Sequence, residues 1–453
     1  MKILKRIENA QSKNSLILYL EKTYEHLENE GYIEGFRKDL IDTCRSKKNN
    51  CDYWDREVAT KLGINLKFIK KLKCIENNIL NVYVNGSLYI KGHLSTNLKY
   101  SIPTKISDKI LLQKVSIGGN HVLCLSTNKT VYTFGSNSFG QLGLGSGVEY
   151  TIQLEEVMKN CKEICAGYST SMVITCKDKL YGWGCTENGR IGLDTSEDSE
   201  DSDSFRVEKE YFPTLIKHSI KNLEKLTAGS THMCGLDRDG HICSAGHWRF
   251  SGHDSFDHMY TINYISSINH IKFRKVTIGI GGYHTLALTK SGYVYSWGHN
   301  RVGQLGIKFS EMKQLTYQTD PIKIKTLENI IDISAGWGHS GAIDVNKNVY
   351  VCGRNEEHQL GINKELCVFN ERDHKCICQF YKIVSNENFK RIDCTSQNTY
   401  LYTDDYIYTS GLFNGNVVNK EFTLIPSSYN IKYIYDSVHF TVFISDGMNE
   451  KLF

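Results

Sequence analysis

Through most of its length the chain alternates short apolar runs with polar, glycine-bearing turns, and the same order of runs keeps returning. The fullest copy is VTIGIGGYHTLALTKSGYVYSWGHNRVGQLG, Val276 to Gly306. In it an apolar strand, HTLAL, is followed by a Lys-Ser-Gly turn, a second strand, YVYSW, and a glycine-punctuated loop, an order that predicts a tight antiparallel hairpin. Similar copies run Val115 to Gly145, Ile164 to Asp194 and Ile331 to Gly361, and a looser one begins at Leu226. Worn copies begin at Leu72, where VYVNGSLYI predicts a hairpin over Asn85-Gly86, at Ile392 and at Tyr433. Anchor positions fall at His121, Thr170, His232, His284, His339, Thr399 and His439.

One such unit cannot bury both faces of a small sheet, so repetition at this period implies neighbours stacked around a shared core. The repeated residues resemble the regulator of chromosome condensation repeat family, whose units carry a G-x-x-H-T strand, a V-Y-x-W-G strand and a G-Q-L-G loop. Gly281, His284, Trp297, Gly298, Asn300, Gly303, Gln304, Leu305 and Gly306 stand where that pattern places them. The resemblance implies an all-β fold, a closed propeller of four-stranded antiparallel blades, usually seven. Eight unit-like hairpins are present, near 72–110, 115–160, 164–221, 226–271, 276–327, 331–388, 392–425 and 431–453. Seven blades follow if the two chain ends share one, which also leaves no long open edge; eight is the alternative.

Residues 1–71 lack the repeat vocabulary. Leu16, Tyr19, Leu20, Tyr24 and Leu27, then Phe36, Leu40 and Cys44, come at helix-like spacing and predict a small α-helical N-terminal module. Residues 1–75 hold 16 Lys and Arg against 11 Asp and Glu, so this module carries the excess of a chain whose net charge is +4. Phe36 to Ile64 resembles the second half of an F-box but lacks the opening Leu-Pro pair; a helical cap over the ring is the plainer reading. The Lys67, Lys70, Lys71 and Lys73 cluster is too short to argue for nucleic acid over a solvated face.

Within the repeats, Gly118, Gly167, Gly229, Gly281 and Gly336 predict close backbone approach near a crowded axis, and Gly135, Trp183, Trp297 and Gly298 recur as strand positions. His121, His232, His284 and His339 come one per blade, which spreads them around the ring instead of gathering them about one ion. Threonine at two anchors fits hydrogen bonding better than metal ligation. His374, Cys376 and Cys378 form H-x-C-x-C, which lacks a fourth ligand. The fifteen cysteines are scattered, as reduced, packed thiols are. No metal or other cofactor is therefore expected.

The insertion between Leu193 and Tyr211 carries Glu197, Asp198, Glu200, Asp201 and Asp203, too acidic to pack; it predicts a disordered strip that serves as linker or as docking site for a basic partner. No nucleophile elbow, P-loop or H-E-x-x-H is present, so no bond-making chemistry is expected. Neither an apolar signal core nor an eighteen-residue apolar run occurs, so the chain reads as intracellular, without a membrane span. What remains is a non-catalytic interaction scaffold for protein partners. The resemblance adds guanine-nucleotide exchange on a small GTPase, and the N-terminus adds substrate recognition for a ubiquitin ligase through its adaptor. Light sensing, as in a plant UV-B photoreceptor of this fold, needs arginine beside clustered tryptophans, and AGWGHS at Ala335 has glycine there. No small-molecule substrate is implied.

Overall fold

The computed structural model describes residues 88–448 apart from 96–97, 108–109, 111, 194–207, 309–311, 313–315, 370–374, 414–416, 426–428 and 437–439. The expected helices of 1–71, the Asn85-Gly86 turn and the acidic strip lie outside the described residues.

Seven antiparallel sheets follow one another, six of four strands and one of five. Blade 2 holds β3 (Leu112–Ile117), β4 (His121–Ser126), β5 (Val131–Ser136) and β6 (Tyr150–Met158). Blade 3 holds β7 (Cys161–Ala166), β8 (Thr170–Thr175), β9 (Leu180–Cys185) and β10 (Lys209–Leu215). Blade 4 holds β11 (Leu223–Ala228), β12 (His232–Asp237), β13 (Ile242–Gly246) and β14 (Met259–Tyr264). Blade 5 holds β15 (Phe273–Ile278), β16 (His284–Thr289), β17 (Val294–His299) and β18 (Tyr317–Lys323). Blade 6 is β19 (Ile330–Ala335), β20 (His339–Asp344), β21 (Val349–Arg354) and β23 (Lys375–Ile383), with the two-residue β22 (Val368–Phe369) added at its outer edge. Blade 7 holds β24 (Arg391–Cys394), β25 (Asn398–Tyr402), β26 (Ile407–Phe413) and β27 (Val417–Leu424).

Blade 1 is built from both chain ends. Its order is β2 (Leu98–Ser107), β1 (Leu88–Ser95), β29 (Phe440–Met448), β28 (Tyr429–Asp436). Tyr89, Ile90, Lys91 and Gly92 pair with Phe443, Val442, Thr441 and Phe440, so the late strands supply the inner half of the sheet and the early ones the outer half. Among the described residues the sheets therefore number seven, not eight. Tyr89 and Ile90 also pair with β2, so β1 has a neighbour on each side.

Within each blade we call the strands a to d from the axis outward. The b strands β4, β12, β16 and β20 are buried at every position because a neighbouring blade covers each face, which is why HTLAL reads as a continuous apolar run. The d strand β6 is exposed or half-buried at every position, and its YTIQLE alternation lies outside the recurring repeat residues. The core lies between blades. Met172, Ile174 and Ile191 of blade 3 pack with Met233, Cys243 and Ile262 of blade 4, and Leu286, Leu288 and Leu305 of blade 5 pack with Ile333 and Ala342 of blade 6.

In blades 2 to 7 the c strand carries a left-handed glycine opposite the first residue of b. At Gly135, φ is 117° and a Cβ would lie 2.5 Å from the Asn120 carbonyl oxygen. Gly184, Gly246, Gly298, Gly353 and Gly411 repeat that geometry, so only glycine fits. This register corrects two anchors: Asn398, not Thr399, faces Gly411, and Phe440, not His439, faces Gly92.

Candidate functional site

The a–b turns and c–d loops emerge on one face of the ring, the b–c turns and d–a connections on the other. On the first face, near the axis, the a–b turns are chained by backbone hydrogen bonds. Gly119 donates to the Tyr168 carbonyl, Tyr168 to Gly229, Ser230 to Gly282 and Trp337 to Thr395, at 2.8–3.1 Å. A Cβ on Gly118 would meet the Gly167 carbonyl oxygen at 2.5 Å, one on Gly229 that of Gly282 at 2.4 Å, and one on Gly336 that of Thr395 at 2.3 Å. In blade 5 this position belongs to Gly279 and not to the expected Gly281, because GIGG is two residues longer; a Cβ on Gly279 would lie 2.1 Å from the Gly336 oxygen. Gly281, with φ of 71°, instead lies under the rings of Tyr168 and Trp337, which its Cβ would approach to 3.2 Å.

Just outside this ring the histidines bridge blades. His121 Nε2 bonds Ser171 Oγ at 2.9 Å, His232 bonds Thr285 Oγ1 at 2.9 Å, His284 bonds Ser340 Oγ at 2.8 Å and His339 bonds Thr399 Oγ1 at 3.0 Å. Ser171, Ser340 and Thr399 in turn donate to the carbonyls of Gln141, Gln304 and Gln359 at 2.6–2.7 Å. With the hydroxyl proton so committed, Nε2 must be the protonated nitrogen. Burial pushes His121, His232 and His284 down to about 3 and His339 to about 4, so all four are neutral. Among the described residues no group of three or more His, Cys, Asp or Glu is set to hold a metal ion.

The Gln carbonyls belong to the G-Q-L-G loops, and the loops act as locks between blades. Leu142, Leu305 and Leu360 are buried, and their N–H groups donate to Asn137, Asn300 and Asn355 Oδ1 at 2.8–3.0 Å, which closes each loop. Trp183 of the next blade donates its indole N–H to Gln141 at 2.9 Å.

Blade 4 breaks this rule. Its loop glycine, Gly252, comes six residues after Gly246, where the same pair is eight apart in blades 2, 3, 5 and 6, and HWRFS replaces the lock sequence. Trp297, the counterpart of Trp183, keeps a buried indole N–H with no partner among the described residues. In place of a lock stands a cluster of rings. Trp248 lies 5.5 Å from Phe256 and 5.7 Å from Tyr317, and the Arg249 guanidinium lies 4.9 and 5.2 Å from the Trp248 and Tyr317 centroids. Behind them Phe250 packs on His247 and Tyr283, and His247 on His258 at 4.6 Å. Burial first, then His258, Arg249 and Arg190, hold His247 down to about 4. Phe256 is 79% exposed. Large aromatic and arginine side chains presented together on loops are what binding surfaces are made of.

The two faces differ in charge. Among the described residues the c–d loops hold eight Asp and Glu against five Lys and Arg, whereas the b–c turns and d–a connections hold six against twelve. The cluster therefore sits on the acidic side, with Glu187, Asp254 and Asp257 in its own and the neighbouring loop.

The recurring glycines, tryptophans and histidines thus lie at the seams, and the expected docking residues Glu197, Asp198, Glu200, Asp201 and Asp203 lie outside the described residues. The blade 4 cluster was not singled out from sequence. Its signal was the two-residue deletion together with aromatic and histidine residues crowded between Gly246 and Tyr260.

A family model described as the regulator of chromosome condensation (RCC1) repeat matches residues 129–174 and 291–343, and a second of the same description matches 113–141, 276–304 and 330–359. The Ultraviolet-B receptor UVR8 of Arabidopsis thaliana is 26% identical over 281 residues, 60% of this chain and 60% of that one. The probable E3 ubiquitin-protein ligase HERC6 of Homo sapiens is 26% identical over 311 residues, 66% of this chain but 28% of that protein. Among solved structures, Prp20p of Saccharomyces cerevisiae is 18% identical with a TM-score of 0.66, over 84% of this chain and 95% of that one. Human WBSCR16 is 14% identical with a TM-score of 0.64, over 80% and 98%.

Proposed function

Starting from a chain that carries RCC1 repeats on a β-propeller, we propose that it is a non-catalytic protein-binding scaffold, and that its c–d loop face receives a basic segment of the partner. One observation carries this reading: blade 4 gives up the lock between blades and presents Trp248, Arg249, Phe256 and Tyr317 instead, on the face where carboxylates predominate. Rings supply apolar anchoring, and the surrounding acids steer a lysine- and arginine-rich chain toward them. The similar structure of Prp20p is described by its binding to Gsp1p and to histones, which supports testing a basic protein first. An intracellular setting suits the unpaired state of the described cysteines.

The test is capture of purified core histones by the full chain and by Trp248→Ala/Phe256→Ala, with polyglutamate as a competitor and a control. Retention by the wild type, lost in the double variant, supports the reading. Equal retention by both moves the contact off blade 4, and no retention at micromolar protein removes the basic-partner claim. Exchange on a small GTPase is a separate outcome, read as acceleration of labelled-nucleotide release; it needs no bond-making group, only tighter binding of the empty GTPase. Recruitment of a ubiquitin-ligase adaptor would rest on residues 1–71 and is tested by capture with and without them.

A further inference from the structure

Blade 6 gathers three thiols at its outer edge. Cys376 and Cys378 lie two residues apart on β23, and Val368 of β22 pairs with Cys376, which brings the adjacent Cys367 alongside. Residues two apart on a strand share a face. The ladder is irregular at this point: Gly353 faces Ile377 while Val351 faces Tyr381, so residues 378–380 form a bulge on the β23 side. Gly303 of the blade 5 loop is seated on that bulge, where a Cβ would lie 2.6 Å from the Cys378 Cα. Cys376 is fully buried, and Cys378 is partly open to solvent.

The two thiols are close enough for each to act on the other's ionisation. Its neighbour Cys378 and then burial push Cys376 up, and the neighbouring Cys376 thiol draws Cys378 below the ordinary thiol range. For the packed cysteines burial outweighs their partners: it pushes Cys161, Cys165 and Cys243 up to about 12, and Cys124, Cys234 and Cys394 higher still. A partly exposed thiolate beside a second thiol is the arrangement that oxidises reversibly.

We propose that Cys376 and Cys378 form a reversible dithiol–disulfide site that reacts with hydroperoxides, with Cys378 as the attacking group and Cys376 as the resolving one. The Cys378 thiolate attacks one peroxide oxygen; the O–O bond breaks, Cys378 becomes a sulfenic acid, and the leaving oxide takes a proton from solvent. The Cys376 sulfur then attacks the Cys378 sulfur. The S–S bond forms as S–O breaks, and the Cys376 proton leaves with the hydroxide as water. Two thiols are oxidised and one hydroperoxide is reduced, and a small dithiol reverses the change.

The experiment uses the full chain carrying Cys176→Ser, which removes an exposed thiol outside the pair. After exposure to hydrogen peroxide and alkylation, tryptic cleavage at Lys375 and Lys382 releases CICQFYK with both cysteines on one peptide. The expected species is unalkylated and lighter by two hydrogens, and dithiothreitol restores double alkylation. Cys378→Ser should abolish it, and Cys376→Ser should leave a sulfenic acid that dimedone traps. A doubly alkylated peptide after peroxide, or a cross-link to the Cys367 peptide ELCVFNER, would overturn the proposal. Because the first readout needs no variant, a substitution that fails to fold does not shield it.

Discussion

The histidines at the seams make stability depend on pH in a definite direction. Their folded values, about 3 to 4, lie below the unfolded value near 6.5, so between those limits the unfolded chain binds more protons. Stability is then fully present above about pH 6.5 and falls as pH drops, by about 1.4 kcal/mol per pH unit for each histidine. Urea titrations at intervals from pH 7.5 to 4.5 should show this, with a shallower slope in His284→Gln; a flat profile would mean that these rings are solvated. Tryptophan offers a paired test. Trp183 donates to Gln141, whereas the Trp297 indole N–H has no partner among the described residues, so Trp183→Phe should cost about 1 kcal/mol more than Trp297→Phe in equilibrium unfolding. At this scale the sequence was legible in part. Recurrence exposed Gly118, His121 and Trp183, but not that Gly279 replaces Gly281 at the axis, because a two-residue insertion inside GIGG leaves the spelling intact while moving the contact.

At the scale of the element, the c–d loop is where blades are joined or left free. Gly143→Ala places a methyl group 2.8 Å from the Trp183 indole nitrogen at a φ of 73°, so it should lower stability by roughly 2 kcal/mol or more, seen as a lower thermal midpoint. Trp248→Ala should leave that midpoint nearly unchanged, since its ring is partly exposed and closes no lock, while weakening partner capture. A lost midpoint with Trp248→Ala would make the cluster part of the core. The b and c strands were readable because burial on both sides makes them continuously apolar. The d strands were not, since β6 and β10 have no fully buried position and owe their place to pairing with c. The worn units hid a slip of one residue, and the short run of apolar residues in NTYLY does not fix whether Asn398 or Thr399 stands at the anchor. The fifth strand of blade 6 is two residues long and left no periodic trace.

For the propeller as a whole, closure depends on a sheet whose inner strands come from the end of the chain and whose outer strands come from near its start. The eight hairpins counted in the sequence resolve into seven sheets for that reason. Removing residues 429–448 strips β1 of a neighbour and opens two blade faces, so the truncated chain should aggregate or lose its cooperative transition, while removal of 449–453 should not. The opposite charge of the two faces was legible once strand order was known, since loops can be assigned to a side only by topology. The binding claim also belongs to this scale, and hydrogen–deuterium exchange of the full chain with and without a saturating core-histone probe tests it most directly. The account predicts slowed exchange in peptides covering 247–258 and 300–317, with 176–179, 238–241 and 290–293 unchanged. Slowed exchange confined to those b–c turns would contradict it.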